Sequence, residues 1–226
     1  MNAATELLAV PGPAGAIDVA LDRPRGAPRG LAVVTHPHPL YGGTRDNKVV
    51  QTLARALVQL GFVCWRPNFR GVEGSEGAHD EGIGETDDVL AVIDAARAHP
   101  SLEGAAAPPL VLAGFSFGCF VQTRVAARLA GRGETAPRMA LVGPAASRFE
   151  LQNVPEDTLV VHGEMDDVVP LSAVLEWARP QELPLVVVPG ADHFFHRRLP
   201  LLKRIVLRWM ADAASGPGTP DDYNRD

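Results

Sequence analysis

Cysteine is scarce in this chain. Among 226 residues only Cys64 and Cys119 are cysteines, both in apolar surroundings and without metal-type spacing. Neither a disulfide framework nor a zinc site is expected, and a reducing, cytoplasmic compartment fits. Long hydrophobic runs are missing too: nowhere do about 18 apolar residues follow one another, the length a membrane-spanning helix needs. The first ten residues hold no Lys or Arg and no apolar stretch as long as a signal-peptide core, so no membrane partner is expected. Basic residues are outnumbered, 21 Lys and Arg against 27 Asp and Glu, for a net charge of −6. That is the opposite of the footprint a phosphate backbone requires, which excludes nucleic acid as the expected partner. The glycine-rich loop Arg70-Gly71-Val72-Glu73-Gly74-Ser75-Glu76-Gly77 contains no Gly-Lys-Ser/Thr and no G-x-G-x-x-G, so it is not a nucleotide cradle. Internal repeats and long linkers are absent as well.

What the chain does contain is an alternation of short β-rich runs with longer helical patterns from about residue 30 onward, the order that builds a parallel sheet covered on both faces. The fold class is α/β. Leu31-Ala32-Val33-Val34-Thr35 is continuously apolar, as a strand buried on both faces must be. A helical pattern follows, with Asp46 as its expected N-cap and Gly61 just beyond its end. Further strands are expected at Phe62-Val63-Cys64-Trp65, Leu110-Val111-Leu112, Met139 to Val142, Leu159 to His162 and Leu185 to Val188. Helices are expected around residues 85–99, 118–130 and 201–210. Upstream, Glu6 to Val10 and Ile17 to Leu21 read as an antiparallel edge pair joined by the turn Pro11-Gly12-Pro13. The total is eight strands in one domain spanning residues 1–214, with a polar, Pro/Gly-rich tail at 215–226 expected to be disordered.

The most specific local signal is Gly114-Phe115-Ser116-Phe117-Gly118, between an apolar strand and a helical pattern. A serine on a sharp strand-to-helix turn adopts strained backbone angles, so the residues two places to either side must be small. A hydroxyl is a poor nucleophile at neutral pH and needs a base, which in turn needs an orienting group. After the strand ending at His162 comes Gly163-Glu164-Met165-Asp166-Asp167, and after the last strand comes Gly190-Ala191-Asp192-His193. The chain order serine, acid, histidine is the one expected of an elbow-type triad. In this reading His193 takes the proton of Ser116, and Asp166 fixes the imidazole's tautomer and stabilises its charged form. An acyl-transfer intermediate also needs N–H donors at its oxyanion. Phe117, following the nucleophile, supplies one. The other is expected from the loop after Thr35, where Pro37 and Pro39 have no N–H, leaving His38 or Leu40.

These ordered motifs resemble the α/β-hydrolase superfamily over nearly the whole chain, and most of all its small, lidless branch related to dienelactone hydrolases and short-chain esterases. The stretch His36-Pro37-His38-Pro39-Leu40-Tyr41-Gly42-Gly43-Thr44-Arg45-Asp46-Asn47-Lys48-Val49, with Asn68-Phe69-Arg70-Gly71, resembles a bacterial group of predicted hydrolases within that branch. The resemblance implies that the His-Gly-x-x-Asp pattern selects Asp166 over Asp167. It also implies that His36 aligns with the histidine ending the family's strand, which favours His38 as the second oxyanion donor, with Pro37 in place of the usual glycine. It further implies a serine hydrolase that cleaves carboxylic esters, thioesters or lactones of small or short-chain substrates through an acyl-enzyme, without a cofactor. Only a short stretch separates the strand ending at Val142 from the next, where larger relatives insert a lid, so an open site is expected.

Other residues carry blander expectations. Leu40, Tyr41 and Phe194 are candidate substrate contacts, whereas Phe115, Phe117, Phe120 and Phe195 are expected to pack in the core. His36 and His162 are expected to fix loop backbones, and His79, His99 and His196 to be exposed polar residues. Arg70 and Glu73 are expected to brace their loop, and Cys119 to be a buried small hydrophobe. Two other functions stay open at this stage: a non-catalytic ligand-binding protein on the same fold, and metal-dependent hydrolysis through His36 and His38. No metal is the expectation, because the supporting ligand clusters are missing.

Overall fold

The computed structural model describes residues 5–102 and 108–212; the tail expected at 215–226 lies outside them. One eight-stranded sheet organises the chain. Its strands are β1 (Thr5–Gly12), β2 (Gly15–Asp22), β3 (Gly30–Thr35), β4 (Phe62–Pro67), β5 (Leu110–Phe115), β6 (Arg138–Val142), β7 (Leu159–Gly163) and β8 (Leu185–Val188). They lie in the spatial order β1-β2-β4-β3-β5-β6-β7-β8. From β4 to β8 every pairing is parallel, while β1 and β2 form an antiparallel edge. The helices are α1 (Lys48–Gln59), α2 (Ile83–Arg97), α3 (Phe117–Gly131), α4 (Leu171–Ala178) and α5 (Leu199–Asp212).

The period of two along each strand divides the core into two layers. Leu31, Val33, Val63, Trp65, Leu112 and Met139 join Val92 and Ile93 of α2 and Val121 and Leu129 of α3 in one cluster. Their neighbours Ala32, Val34, Cys64, Val111, Ala113 and Ala140 join Leu53 and Leu57 of α1 and Leu202 and Val206 of α5 in the other. Both faces of the central strands are therefore dry, which is why they read as unbroken apolar runs. The carboxyl ends of the parallel strands are left to carry loops, the rim where open α/β sheets place their sites.

Three local expectations are corrected. The first turn is not Pro11-Gly12-Pro13: Pro11 and Gly12 are paired with Ala16 and Gly15 inside the hairpin, leaving Pro13 and Ala14 as its two-residue loop. An edge strand tolerates a proline because the missing N–H would face away from the ladder, and Gly15 takes the φ of 117° that closes the turn. The N-cap of α1 is Asn47, whose Oδ1 accepts the Val49 N–H at 2.9 Å. Asp46 is instead drawn to Arg66, 3.2 Å away. Helix α2 starts at Ile83 rather than 85 because Glu85, its third residue, reaches back to accept the Gly82 N–H at 2.8 Å. The short helix α4 was not anticipated.

Candidate active site

Ser116 sits where β5 ends and α3 begins, with φ 55° and ψ −116°. A non-glycine residue in that region stores about 1–3 kcal/mol of strain and persists only where its surroundings hold it. They do so here: the Ser116 N–H donates to the Val142 carbonyl at 3.0 Å. The two flanking glycines are equally determined. A Cβ on Gly114 would lie 2.7 Å from the backbone of Gly118, and one on Gly118 would lie 2.6 Å from the Thr35 carbonyl oxygen and 2.7 Å from that of His36. The two glycines are thus fixed by steric contact, Gly114 with the first turn of α3 and Gly118 with the end of β3.

Asp166 lies in the loop after β7 and His193 in the loop after β8. His193 Nδ1 and Asp166 Oδ2 are 2.7 Å apart, and both side chains are buried. Asp166 Oδ1 accepts the N–H groups of Val168 at 3.0 Å and Val169 at 2.8 Å. Burial pushes this carboxyl up, but the hydrogen bond from His193, the Val169 N–H and the two neighbouring imidazoles outweigh it and hold it below the ordinary carboxylate value. Asp167, the alternative acid, is exposed. The two loops approach so closely because position 163 has no side chain: a Cβ on Gly163 would lie 2.5 Å from the Ala191 carbonyl oxygen and 2.8 Å from that of Asp192.

The imidazole of His193 is brought to the elbow. Its ring packs on Phe115, centroid to centroid 4.9 Å, and lies 3.2 Å from the place a Cβ of Gly143 would occupy. Phe115 precedes Ser116, and Gly143 follows the residue whose carbonyl holds the Ser116 N–H. No hydrogen bond among the described residues joins Ser116 Oγ to His193 Nε2, and neither atom belongs to the buried polar atoms left without a partner.

Phe117 opens α3, and its N–H has no partner among the described residues. Of the two candidates in the loop after β3, Leu40 donates its N–H to His38 Nδ1 at 3.3 Å, while the His38 N–H has no partner among the described residues. The His38 ring lies against the Phe117 ring at 4.8 Å, so the two N–H groups belong to residues in contact. The three substrate-contact candidates stand at the surface: Leu40 is 68% exposed, Tyr41 76% and Phe194 43%. Phe194 stacks edge-on to His193 at 5.2 Å. It also walls a cleft of about 420 Å³ bordered by Gly42, Lys48, Val49, Arg197 and Leu199; Leu40 and Tyr41 do not line it.

The remaining histidines divide. His36 Nδ1 lies 2.7 Å from the Pro37 carbonyl oxygen and Nε2 accepts the Phe69 N–H at 2.9 Å, so both ring nitrogens are committed and neither faces a metal. Burial holds its pKa down at about 3, the nearby Arg45 adding to the effect against the pull of the Pro37 carbonyl. Among the described residues no group of three or more His, Cys, Asp and Glu could hold a metal ion. His162 fixes the loop after β7 through the Val169 carbonyl, 3.0 Å from its Nε2. His196 is exposed, as expected, and lies 2.6 Å from Asp192. His79 is a correction: its side chain is only 7% exposed, and its Nδ1 lies 2.8 Å from the fully buried Glu85. His99 is half-buried with its ring 5.3 Å from Trp65. Arg70 braces its loop through Asp88 at 2.7 Å, and Asn68 donates to Glu73 at 2.7 Å. Burial pushes the Cys119 thiol up, and its Sγ lies 3.2 Å from the Gly114 carbonyl.

No family model matches the chain. Among solved structures it is similar to a serine hydrolase without a lid from Xanthomonas campestris, at 36% identity over 97% of this chain and 99% of that one, with a TM-score of 0.83. It is also similar to an α/β serine hydrolase homologue from Coxiella burnetii, at 37% identity over 92% of this chain and 97% of that one, with a TM-score of 0.75. A curated relative, an uncharacterized protein of Rickettsia prowazekii, is 28% identical over 95% of this chain and 92% of its own length.

Proposed function

The chain belongs to the α/β-hydrolase superfamily, and from that premise we propose that it cleaves carboxylic esters, thioesters or lactones of small or short-chain substrates through an acyl-enzyme on Ser116. The observation that carries the reading is the Asp166–His193 pair, 2.7 Å apart, with the imidazole packed beside the strained serine.

In the proposed cycle His193 Nε2 accepts the Ser116 proton as Oγ attacks the substrate carbonyl. The tetrahedral oxyanion takes hydrogen bonds from the N–H groups of Phe117 and His38, an interaction whose loss typically costs about 10²–10³ in rate per donor. The His193 proton then passes to the leaving oxygen or sulfur, and the bond to the carbonyl carbon breaks. Water, deprotonated by the same imidazole, releases the acid and regenerates Ser116. Asp166 keeps the proton on Nδ1 so that Nε2 is free to accept. The absence of an inserted segment between β6 and β7 supports small or exposed acyl groups.

Incubation with a fluorophosphonate and location of the adduct by mass spectrometry tests the reading. Ser116 is the expected site, and a Ser116→Ala variant is expected to lose both labelling and turnover. A p-nitrophenyl ester series should show rates that decline as the acyl chain grows. An unlabelled Ser116 in folded protein would overturn the proposal.

A further inference from the structure

Beneath the Asp166–His193 pair lies a third buried group that the cycle above does not use. His162, at the end of β7, is fully buried. Its Nε2 lies 3.0 Å from the Val169 carbonyl oxygen and 3.5 Å from Asp166 Oδ2, and its Nδ1 is buried with no hydrogen-bond partner among the described residues. A carbonyl oxygen only accepts, so the proton sits on Nε2 and Nδ1 is a bare lone pair. The alternative, a charged ring, would bury an unpaired N–H donor together with its charge. Burial accordingly lowers the pKa of this histidine, against the pull of Asp166 and the Val169 carbonyl.

We infer that His162 is a positioning residue for the proposed hydrolysis: as a neutral Nε2–H donor it anchors Val169 and thereby sets which oxygen of Asp166 faces His193. The inference rests on the acyl-enzyme reading above. The Val169 N–H is one of the two donors on Asp166 Oδ1. With its carbonyl tied to His162, residue 169 holds its N–H on that oxygen, and Oδ1 is fully occupied. Oδ2 is left to take the short contact with His193, with the His162 N–H dipole 3.5 Å away. Three side chains and the backbone of Val169 thus form a chain of orientation: His162 fixes Val169, Val169 fixes Asp166, and Asp166 fixes His193.

His162→Leu removes the donor while filling most of the volume, and His162→Gln offers a side-chain N–H at about the reach of Nε2. Active sites are counted by fluorophosphonate titration, so that kcat is expressed per competent Ser116. The expected result with a short p-nitrophenyl ester is a kcat lower by about tenfold or more in His162→Leu, with KM within about twofold and kcat largely restored in His162→Gln. A role confined to packing predicts the reverse: lower melting temperatures in both variants, with kcat per titrated site unchanged. That result overturns the inference. Should His162→Leu fail to fold, ¹⁵N chemical shifts of the native protein decide instead. A neutral ring protonated on Nε2 at neutral pH is required, and a ring protonated on Nδ1, or on both nitrogens, sinks the inference. Failure of Ser116 to label in the native protein is a separate outcome, which removes the acyl-enzyme reading itself.

Discussion

Replacing Asp166 by asparagine tests whether the buried pair works through charge and tautomer or through shape alone. Asp166 Oδ1 is bound by two backbone N–H groups, from Val168 and Val169. An asparagine must keep its carbonyl oxygen there, because an NH₂ group against two donors would leave three donors without an acceptor. Its NH₂ then occupies the place of Oδ2, 2.7 Å from His193 Nδ1 in the native protein. A donor at that distance forces Nδ1 to accept, so the imidazole proton moves to Nε2. The base now presents an N–H to Ser116 where a lone pair is needed. Wrong-tautomer substitutions of this kind cost about 10⁴ in kcat, or roughly 5.5 kcal/mol of barrier. Some stability should be lost near neutrality, because the fold favours the ionised carboxylate that asparagine lacks, but the N–H bonds to residue 166 are kept. The assay is kcat on a short p-nitrophenyl ester, with circular dichroism and thermal melting to confirm the fold. A folded Asp166→Asn variant with more than about a tenth of native kcat would refute the tautomer argument.

Two further outcomes concern His36 and Gly163. His36 is held neutral, with its pKa lowered to about 3 from an ordinary 6.5, so the unfolded chain binds a proton that the folded one refuses between those values. Its contribution to stability is present above the unfolded value and is lost as pH falls through the window, by up to about 1.4 kcal/mol per pH unit. Between pH 7 and pH 5, urea denaturation should show a loss of stability to which His36 contributes about 2 kcal/mol, and which is smaller by about that amount in His36→Asn; equal losses in the two proteins would contradict the assignment. Gly163→Ala places a methyl 2.5 Å from the Ala191 carbonyl oxygen, so the loop carrying His193 must retreat by about 1 Å to reach ordinary contact. A misplacement of that size costs about 10²-fold in rate, against roughly 1–3 kcal/mol of stability for the overpacking. Native-like kcat in that variant would show that the two loops are not in the contact described.

What could be read from the sequence was whatever local chemistry decides. The elbow was legible because backbone angles at Ser116 and the space at Gly114 and Gly118 are constraints within five residues, visible as a pattern of side-chain sizes. The doubly buried strands were legible because burial on both faces removes every polar position, as in Leu31 to Thr35. The eight strands and the antiparallel edge followed from run length and turn residues. Boundaries set by a distant partner were not legible. Asp46 and Asn47 are both good helix caps, and the choice between them was made by Arg66, 20 residues away, which draws off Asp46.

The same distinction explains the candidate site. Chain order pointed to Ser116, an acid and His193, but choosing Asp166 over its neighbour needed the His-Gly-x-x-Asp resemblance. The structure supplies its physical content. Gly163 is the only residue type that lets the Asp192 carbonyl come within 2.8 Å of a would-be Cβ, and the residue three further on then meets the imidazole. His79 shows the converse. Its sequence surroundings, Gly77-Ala78-His79-Asp80-Glu81, read as a solvated loop, and nothing local signals that Glu85 will be buried within hydrogen-bonding distance. A carboxylate with no exposed surface must find donors. Glu85 found the N–H groups of Asp80 and Gly82 together with the imidazole. The loop was therefore folded inward by the need to satisfy one buried charge, and it carried His79 against Phe117, the residue after the strained serine, with ring centroids 5.5 Å apart.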